Sequence, residues 1–265
     1  MTQFKSRGEL WFSLLTNGAQ RVPTSSNSVI CADYEGVRFL AVIPDEENPY
    51  PRARHGEVGL LEGWSLADII ERTIQEDADK SQKRPIVAVV DVPSQAYGRR
   101  EEAFGIHQSL ASAVAAYAKA RNAGHPVVAL IVGKAMSGAF LAHGYQAGTL
   151  LAFDDPGVLI HAMGKKSAAR ITLRTVEELD AFASTVPPMA YDIKHYATLG
   201  LLHELLEVHQ PDAPSPEMVQ KVRDAVAKGI EHARATQSEL LSDRFSSPNR
   251  QASVCVRQRM REVWN

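Results

Sequence analysis

Cysteine is nearly absent: the 265-residue chain carries two, Cys31 and Cys255, near opposite ends. Their spacing fits neither a disulfide framework nor a thiolate metal site, and a reducing compartment is expected. An excess of charge is lacking too. Lys and Arg number 29 against 31 Asp and Glu, a formal net charge of -2, so nothing global attracts nucleic acid or an acidic membrane surface. No apolar run approaches the roughly 18 residues needed to cross a bilayer, and the opening MTQFKSRGELWF lacks the apolar core of a signal peptide. Repeats and low-complexity linkers are also missing. These absences lead to the expectation of a cytoplasmic protein whose partner is a small polar metabolite or another protein. With 45% hydrophobic residues, a chain of this length buries one sizeable core or two small ones.

The hydrophobic pattern then sets out the elements. NSVICADYEGVRFLAVIPD reads as two β-rich runs turning at Tyr34-Glu35-Gly36. Residues 44 to 63, with three prolines, read as a loop, and SLADIIERTIQEDADKS as a helix capped by Ser65 with Asp68 in capping-box position. RPIVAVVDVPSQ is a buried strand, because a valine-rich run ends at Asp91 and Pro93. A helix from about Glu101 to Ala123 and a second strand in GHPVVALIVGKA follow, and this alternation is the signature of parallel βαβ units in an α/β protein. TLLAFDDPGVLIHA holds two short strands; helical segments begin near Ser167, and after Pro216 come a helix and a mixed-charge tail with Arg257, Arg259, Arg261 and Glu262.

The segment IVGKAMSGAFLAHGYQAG is the one that asks for chemistry. A strand that turns sharply into a helix needs small residues at the corner, and the helix's first N–H groups have no intrahelical partners. The small side chains at Ala135, Ser137, Gly138 and Ala139 leave that backbone open to a carbonyl oxygen, as an oxyanion hole requires. Tight helix packing is the competing explanation, and Gly138 is the residue expected to take up any left-handed backbone there.

Residues 89 to 142, VVDVPSQAYGRREEAFGIHQSLASAVAAYAKARNAGHPVVALIVGKAMSGAFLA, resemble the acyl-CoA carboxyltransferase branch of the crotonase superfamily. The strand-ending turn of that branch falls on Asp91 to Ser94, its acidic helix start on Glu101 and Glu102, and its glycine-serine corner on Ala135 to Ala139. TLGLLHELLEV, residues 198 to 208, is similar to the glycine-leucine segment that closes the fold. Over most of the chain the resemblance is to gamma subunits of biotin-independent malonate decarboxylases. Ala135, Met136 and Ala139 depart from glycines common in carboxyltransferases, as does Ser94.

The resemblance implies a crotonase-like (ClpP/crotonase) spiral of ββα units over residues 25–210, preceded by an N-terminal segment, 1–24, and followed by a helical C-terminal extension, 211–265. It implies decarboxylation of a malonyl thioester, with backbone N–H groups of Met136, Ser137, Gly138 and Ala139 as the oxyanion hole. Ser94, Gln95, His143 and His161 are the expected substrate-binding residues; Lys134 and Lys165, with Lys166 and Arg170 nearby, are expected to hold the anionic carrier arm. The implied partners are a beta-type carboxyltransferase subunit that supplies the facing half-site, an acyl carrier subunit and an acyl-transferring alpha subunit. The carrier delivers a phosphoribosyl-dephospho-coenzyme A arm, and this chain holds no cofactor, biotin or metal.

Two other readings stand beside this one. GKAMSGAFLAHG also resembles the nucleophile segment of Clp-type serine peptidases, with His161 as the base for Ser137. Alternatively the chain is a non-catalytic scaffold for a catalytic partner. His203 and His209 in HELLEVH are six apart, which breaks the helical face a zinc ion needs. GKKS, residues 164 to 167, lacks the earlier glycine of a P-loop.

Overall fold

The computed structural model describes residues 4–236 and 245–264; the ends of the N-terminal segment and of the chain, and residues 237–244 within the C-terminal extension, lie outside the described residues. β2 (Val29–Tyr34) and β3 (Val37–Val42) form an antiparallel hairpin. Its two turn residues, Glu35 and Gly36, have φ of 49° and 78°, the left-handed pair that matches the twist of adjoining strands. β1 (Arg21–Val22) extends this hairpin on the β2 side. From β3 onward the sheet is parallel, through β4 (Ile86–Val92), β5 (Val127–Met136), β6 (Thr149–Phe153) and β8 (Glu204–Leu206). β5 is ten residues long and changes neighbours along its length: Val128 to Ile131 pair with β6, and Lys134 to Met136 pair with β7 (Leu159–His161).

The helices α2 (Leu60–Glu76) and α4 (Ile106–Asn122) pack on one another at a close crossing. A Cβ on Gly63 would lie 2.6 Å from the Ser109 carbonyl oxygen, and Ser109 Oγ donates to the Leu60 carbonyl at 2.7 Å. α1 (Arg7–Leu15) rests on β3, β4 and β5, and α9 (Pro216–Ala235) on β5 and β6. Trp11, Phe12 and Leu15 from α1 and Val222 and Val226 from α9 join the same apolar core as the strands. α1, from the segment 1–24, and α9, from the segment 211–265, thus share one core with the strands of residues 25–210.

Several boundaries differ from the sequence reading. α2 begins at Leu60 and not at Ser65, because the buried Glu62 carboxylate accepts the Gly59 N–H at 2.9 Å and caps the helix one turn earlier. Ser65 is buried inside the helix with its hydroxyl unpaired. The helix expected from Glu101 to Ala123 is two, α3 (Arg99–Ala103) and α4, broken by Gly105 at φ 81°. Residues 204–206 of HELLEVH form β8, and His203 instead lies ring to ring with His232, centroids 4.0 Å apart. Beyond the sheet, α6 (Lys165–Ile171) and α7 (Val176–Ala183) gather around a second small cluster of Met136, Ala168, Ala169, Leu179 and Tyr191, whereas α8 (Ile193–Ala197) sends Ile193 into the main core. The mixed-charge tail forms α10 (Gln251–Val263), in which no residue is buried. No helix among the described residues is long and apolar enough to cross a membrane.

Candidate active site

The β4 and β5 strands shift register near their C-terminal ends, and one carboxylate sits at the shift. Pairing between them shifts between Val90 and Val92, where the Asp91 carboxylate accepts the N–H of Lys134 at 3.0 Å and of Gly8 at 3.1 Å. Gly133 makes room for it, since a Cβ there would lie 2.2 Å from Asp91 Oδ1. Asp91 is therefore a wedge within the register shift, after which Val92 and Ala135 pair again, and it ties α1 to that point.

Just past the wedge, β5 ends at Met136 and α5 (Ser137–Ala142) begins at once. The chain makes this corner through Ser137, a non-glycine residue at φ 61°. Ser137, and not Gly138, is the left-handed residue, a conformation that costs about 1–2 kcal/mol outside glycine and that its surroundings must hold. Gln95 does so: its side-chain oxygen Oε1 accepts the Gly138 N–H at 2.9 Å and the Ser137 hydroxyl at 3.3 Å. Gly138 is glycine because a Cβ would fall 2.1 Å from that oxygen. Gln95 is itself held by its backbone neighbours, which pair with Val58: Val58 N–H donates to the Ser94 carbonyl at 3.1 Å and Ala96 N–H to the Val58 carbonyl at 2.8 Å.

The corner forms one wall of a groove of about 590 Å³, to which Gln95, Ser137 and Gly138 contribute. Phe140, Leu141 and Tyr145 continue this wall; Ile160 and His161 line the β7 side, and Pro187 to Ala190, Tyr196 and Leu199 the helical side. The His161 ring stacks on Tyr191, centroids 4.0 Å apart, and its Nδ1 lies 3.1 Å from the Met163 carbonyl. Burial lowers the His161 pKa against that hydrogen bond and favours the neutral ring.

Of the residues expected to bind substrate, the fold thus brings Gln95 and His161 to the groove and leaves two away from it. His143 is fully buried, with Nε2 3.1 Å from the Val89 carbonyl and Nδ1 3.0 Å from the Tyr117 hydroxyl. It faces neither groove nor solvent because the helix ends at Ala142 and His143 turns inward at extended backbone angles. Ser94 uses its hydroxyl on the Gln95 carbonyl at 3.0 Å and belongs to the turn. Lys134 and Lys165 do not line the groove either: Lys134 is an exposed strand residue, and Lys165 pairs with Asp180 at 2.7 Å. Of the four corner residues, Ala139 is in the main core and the Met136 side chain in the second cluster, so only their backbone remains for chemistry.

A family model described as the malonate decarboxylase gamma subunit matches residues 53–264. The chain belongs to that family. It is 53% identical to a chain of the Pseudomonas malonate decarboxylase hetero-tetramer solved in complex with coenzyme A, with a TM-score of 0.92 over 99% of this chain and 100% of that one. A chain of the Pseudomonas MdcD-MdcE hetero-dimer is 51% identical, with a TM-score of 0.90 over 98% and 100% of the two chains. Among curated proteins, the Malonomonas rubra malonyl-S-ACP:biotin-protein carboxyltransferase MADD is 38% identical over 161 residues, 60% of this chain. That match spans 55% of the Malonomonas rubra protein, so the chain corresponds to about half of it. A transcarboxylase 12S structure, at 18% identity and a TM-score of 0.62, shares the crotonase-like carboxyltransferase fold over 84% of this chain and 41% of its own.

In this member of the malonate decarboxylase gamma subunit family the serine-histidine pair of a peptidase is not formed. Ser137 Oγ bonds Gln95, and His161 Nδ1 bonds the Met163 backbone. No group of His, Cys, Asp or Glu among the described residues has the arrangement to hold a metal ion. The groove residues that motif reading missed, Pro187 to Ala190, Tyr196 and Leu199, come from loops and short helices after residue 183. Apart from Leu199, at the start of TLGLLHELLEV, they carry no motif, and only the Pro187-Pro188 pair marks an interruption of the helical run.

Proposed function

We propose that this chain is one half of a malonate decarboxylase active site. With a beta-type carboxyltransferase subunit it converts a malonyl thioester on an acyl carrier subunit to the acetyl thioester and CO2. Loss of CO2 leaves a thioester enolate, so negative charge develops on the thioester oxygen. Backbone N–H groups of the Ser137-Gly138-Ala139 corner stabilise that oxygen. The observation that carries this reading is the Gly138 N–H, which sits on the groove wall and already binds a carbonyl-type oxygen, that of Gln95, at 2.9 Å.

Phe140, Leu141, Ile160 and Met189 give the groove apolar walls, which exclude water from the malonyl carboxylate once the beta-type subunit covers the opening. The thioester arrives on the carrier's phosphoribosyl-dephospho-coenzyme A arm, recharged by an acyl-transferring alpha subunit. The chemistry asks no metal or biotin of this chain. Support for the partners comes from the likeness to chains of the Pseudomonas hetero-dimer and hetero-tetramer.

Gly138→Val tests the corner. The valine displaces the Gln95 carboxamide and fills the approach to the backbone. Loss of one well-aimed donor costs about 3 kcal/mol, a hundredfold or more in rate. The expected result is a complex that folds and co-purifies, melts somewhat lower because the Gln95 contact to the corner is lost, and turns over a malonyl thioester at least about a hundredfold more slowly. Wild-type turnover by a folded, assembled Gly138→Val complex would place the chemistry elsewhere.

A further inference from the structure

We propose that Gln95 is a displaceable stand-in for the substrate oxygen, its carboxamide oxygen holding the Gly138 N–H until the thioester oxygen takes its place. The inference rests on the decarboxylase reading and assigns Gln95 the opposite of a ligand-binding role: it competes with substrate. Three observations support it. Oε1 receives both the Gly138 N–H, at 2.9 Å, and the Ser137 hydroxyl, at 3.3 Å, so it occupies the site that the proposed chemistry needs empty. The absence of a side chain at 138 is what admits the carboxamide, since a Cβ would stand 2.1 Å from Oε1. The Gln95 backbone is clamped on both sides through Val58, at 3.1 and 2.8 Å, whereas its Nε2 has no hydrogen-bond partner among the described residues. Release therefore needs rotation of one side chain beside an open groove and no backbone movement.

The energetics of the exchange follow from the acceptors. A neutral thioester oxygen replaces a neutral amide oxygen, so ground-state binding gains little at this N–H. An enolate oxygen makes a charge-assisted bond to the same donor, which the carboxamide cannot match. The stand-in thus keeps the amide paired and the strained Ser137 corner in place while the site is empty, and it raises KM without slowing the chemical step.

The test uses the complex with the beta-type subunit and malonyl-N-acetylcysteamine as substrate. Gln95→Ala is expected to lower KM about 3- to 10-fold, the worth of one neutral hydrogen bond, with no fall in kcat. Gln95→Glu puts a stronger acceptor on the same N–H and is expected to raise KM; the excess shrinks as the pH falls toward the ordinary glutamate value of about 4.3. A second readout is independent of turnover: hydrogen exchange of residues 137–141 in the full chain is faster in Gln95→Ala than in wild type, and acetyl-N-acetylcysteamine slows it again. A raised KM in Gln95→Ala would make the carboxamide a substrate ligand and overturn the proposal, as would exchange at the corner that ignores the substitution. A wild-type complex with no decarboxylase activity would refute the decarboxylase reading, and the exchange measurement would still decide the role of Gln95.

Discussion

Ser137 is the residue on which two chemistries part. If its backbone N–H and those of its neighbours act, Ser137→Ala keeps them, and the variant complex is expected to retain most of its turnover; a fluorophosphonate probe is expected to leave the wild-type chain unlabelled. Abolished activity with labelling at Ser137 would signal a nucleophile. His143 gives a second residue-scale expectation, concerning stability. Burial pushes its pKa from 6.5 down to about 4, against the hydrogen bond to the Val89 carbonyl. The folded state keeps the ring neutral while the unfolded chain binds a proton below pH 6.5, so stability falls as the pH drops from 6.5 toward 4. The full shift corresponds to about 3 kcal/mol. Melting across that range is expected to fall less steeply in His143→Gln than in wild type, although the variant is less stable at pH 7. Burial lowers the pKa of His125, His161 and His203 in the same direction, so these rings steepen the fall, while burial raises the Glu62 pKa and opposes it.

At the scale of elements, the wedge at Asp91 holds the register shift that precedes the β5-to-α5 corner. Asp91→Ala leaves the N–H groups of Lys134 and Gly8 without their acceptor; the Lys134 donor is exposed and can turn to water, so the part-buried Gly8 donor carries most of a loss of about 1 kcal/mol. The variant's denaturant midpoint is expected to fall accordingly, and an unchanged midpoint would show that the wedge carries no stability. The strands and the sharp β5-to-α5 turn were legible because apolar runs bounded by Asp91-Pro93 and Gly133 read directly as buried strand and corner. The start of α2 was not, because its cap is the carboxylate of Glu62 reaching back to Gly59, where a serine further along looked the better candidate. The break at Gly105 was hidden in a run of good helix formers. For the candidate site, the motif reading named Gly138 and His161, and both line the groove. The inward turn of His143 and the grip of Gln95 on the corner depend on tertiary contacts to Val89, Tyr117 and Gly138, which have no local signal.

The whole molecule presents the candidate groove and, separately, a helix with exposed apolar residues. α10 exposes Val256, Met260, Val263 and Trp264 at 57, 58, 81 and 86%, with Arg257, Arg259 and Arg261 among them. These apolar residues recur at helical spacing, as on a face that a partner subunit covers. The groove likewise has a corner of amides on one wall, and the proposal leaves the opposing half of the chemistry to the beta-type subunit. The measurement that bears most directly on this account is CO2 release from a malonyl thioester by this chain alone, by the beta-type subunit alone and by the two together. The account predicts little or no release from this chain alone and full turnover from the mixture; full turnover by this chain without its partner would contradict it.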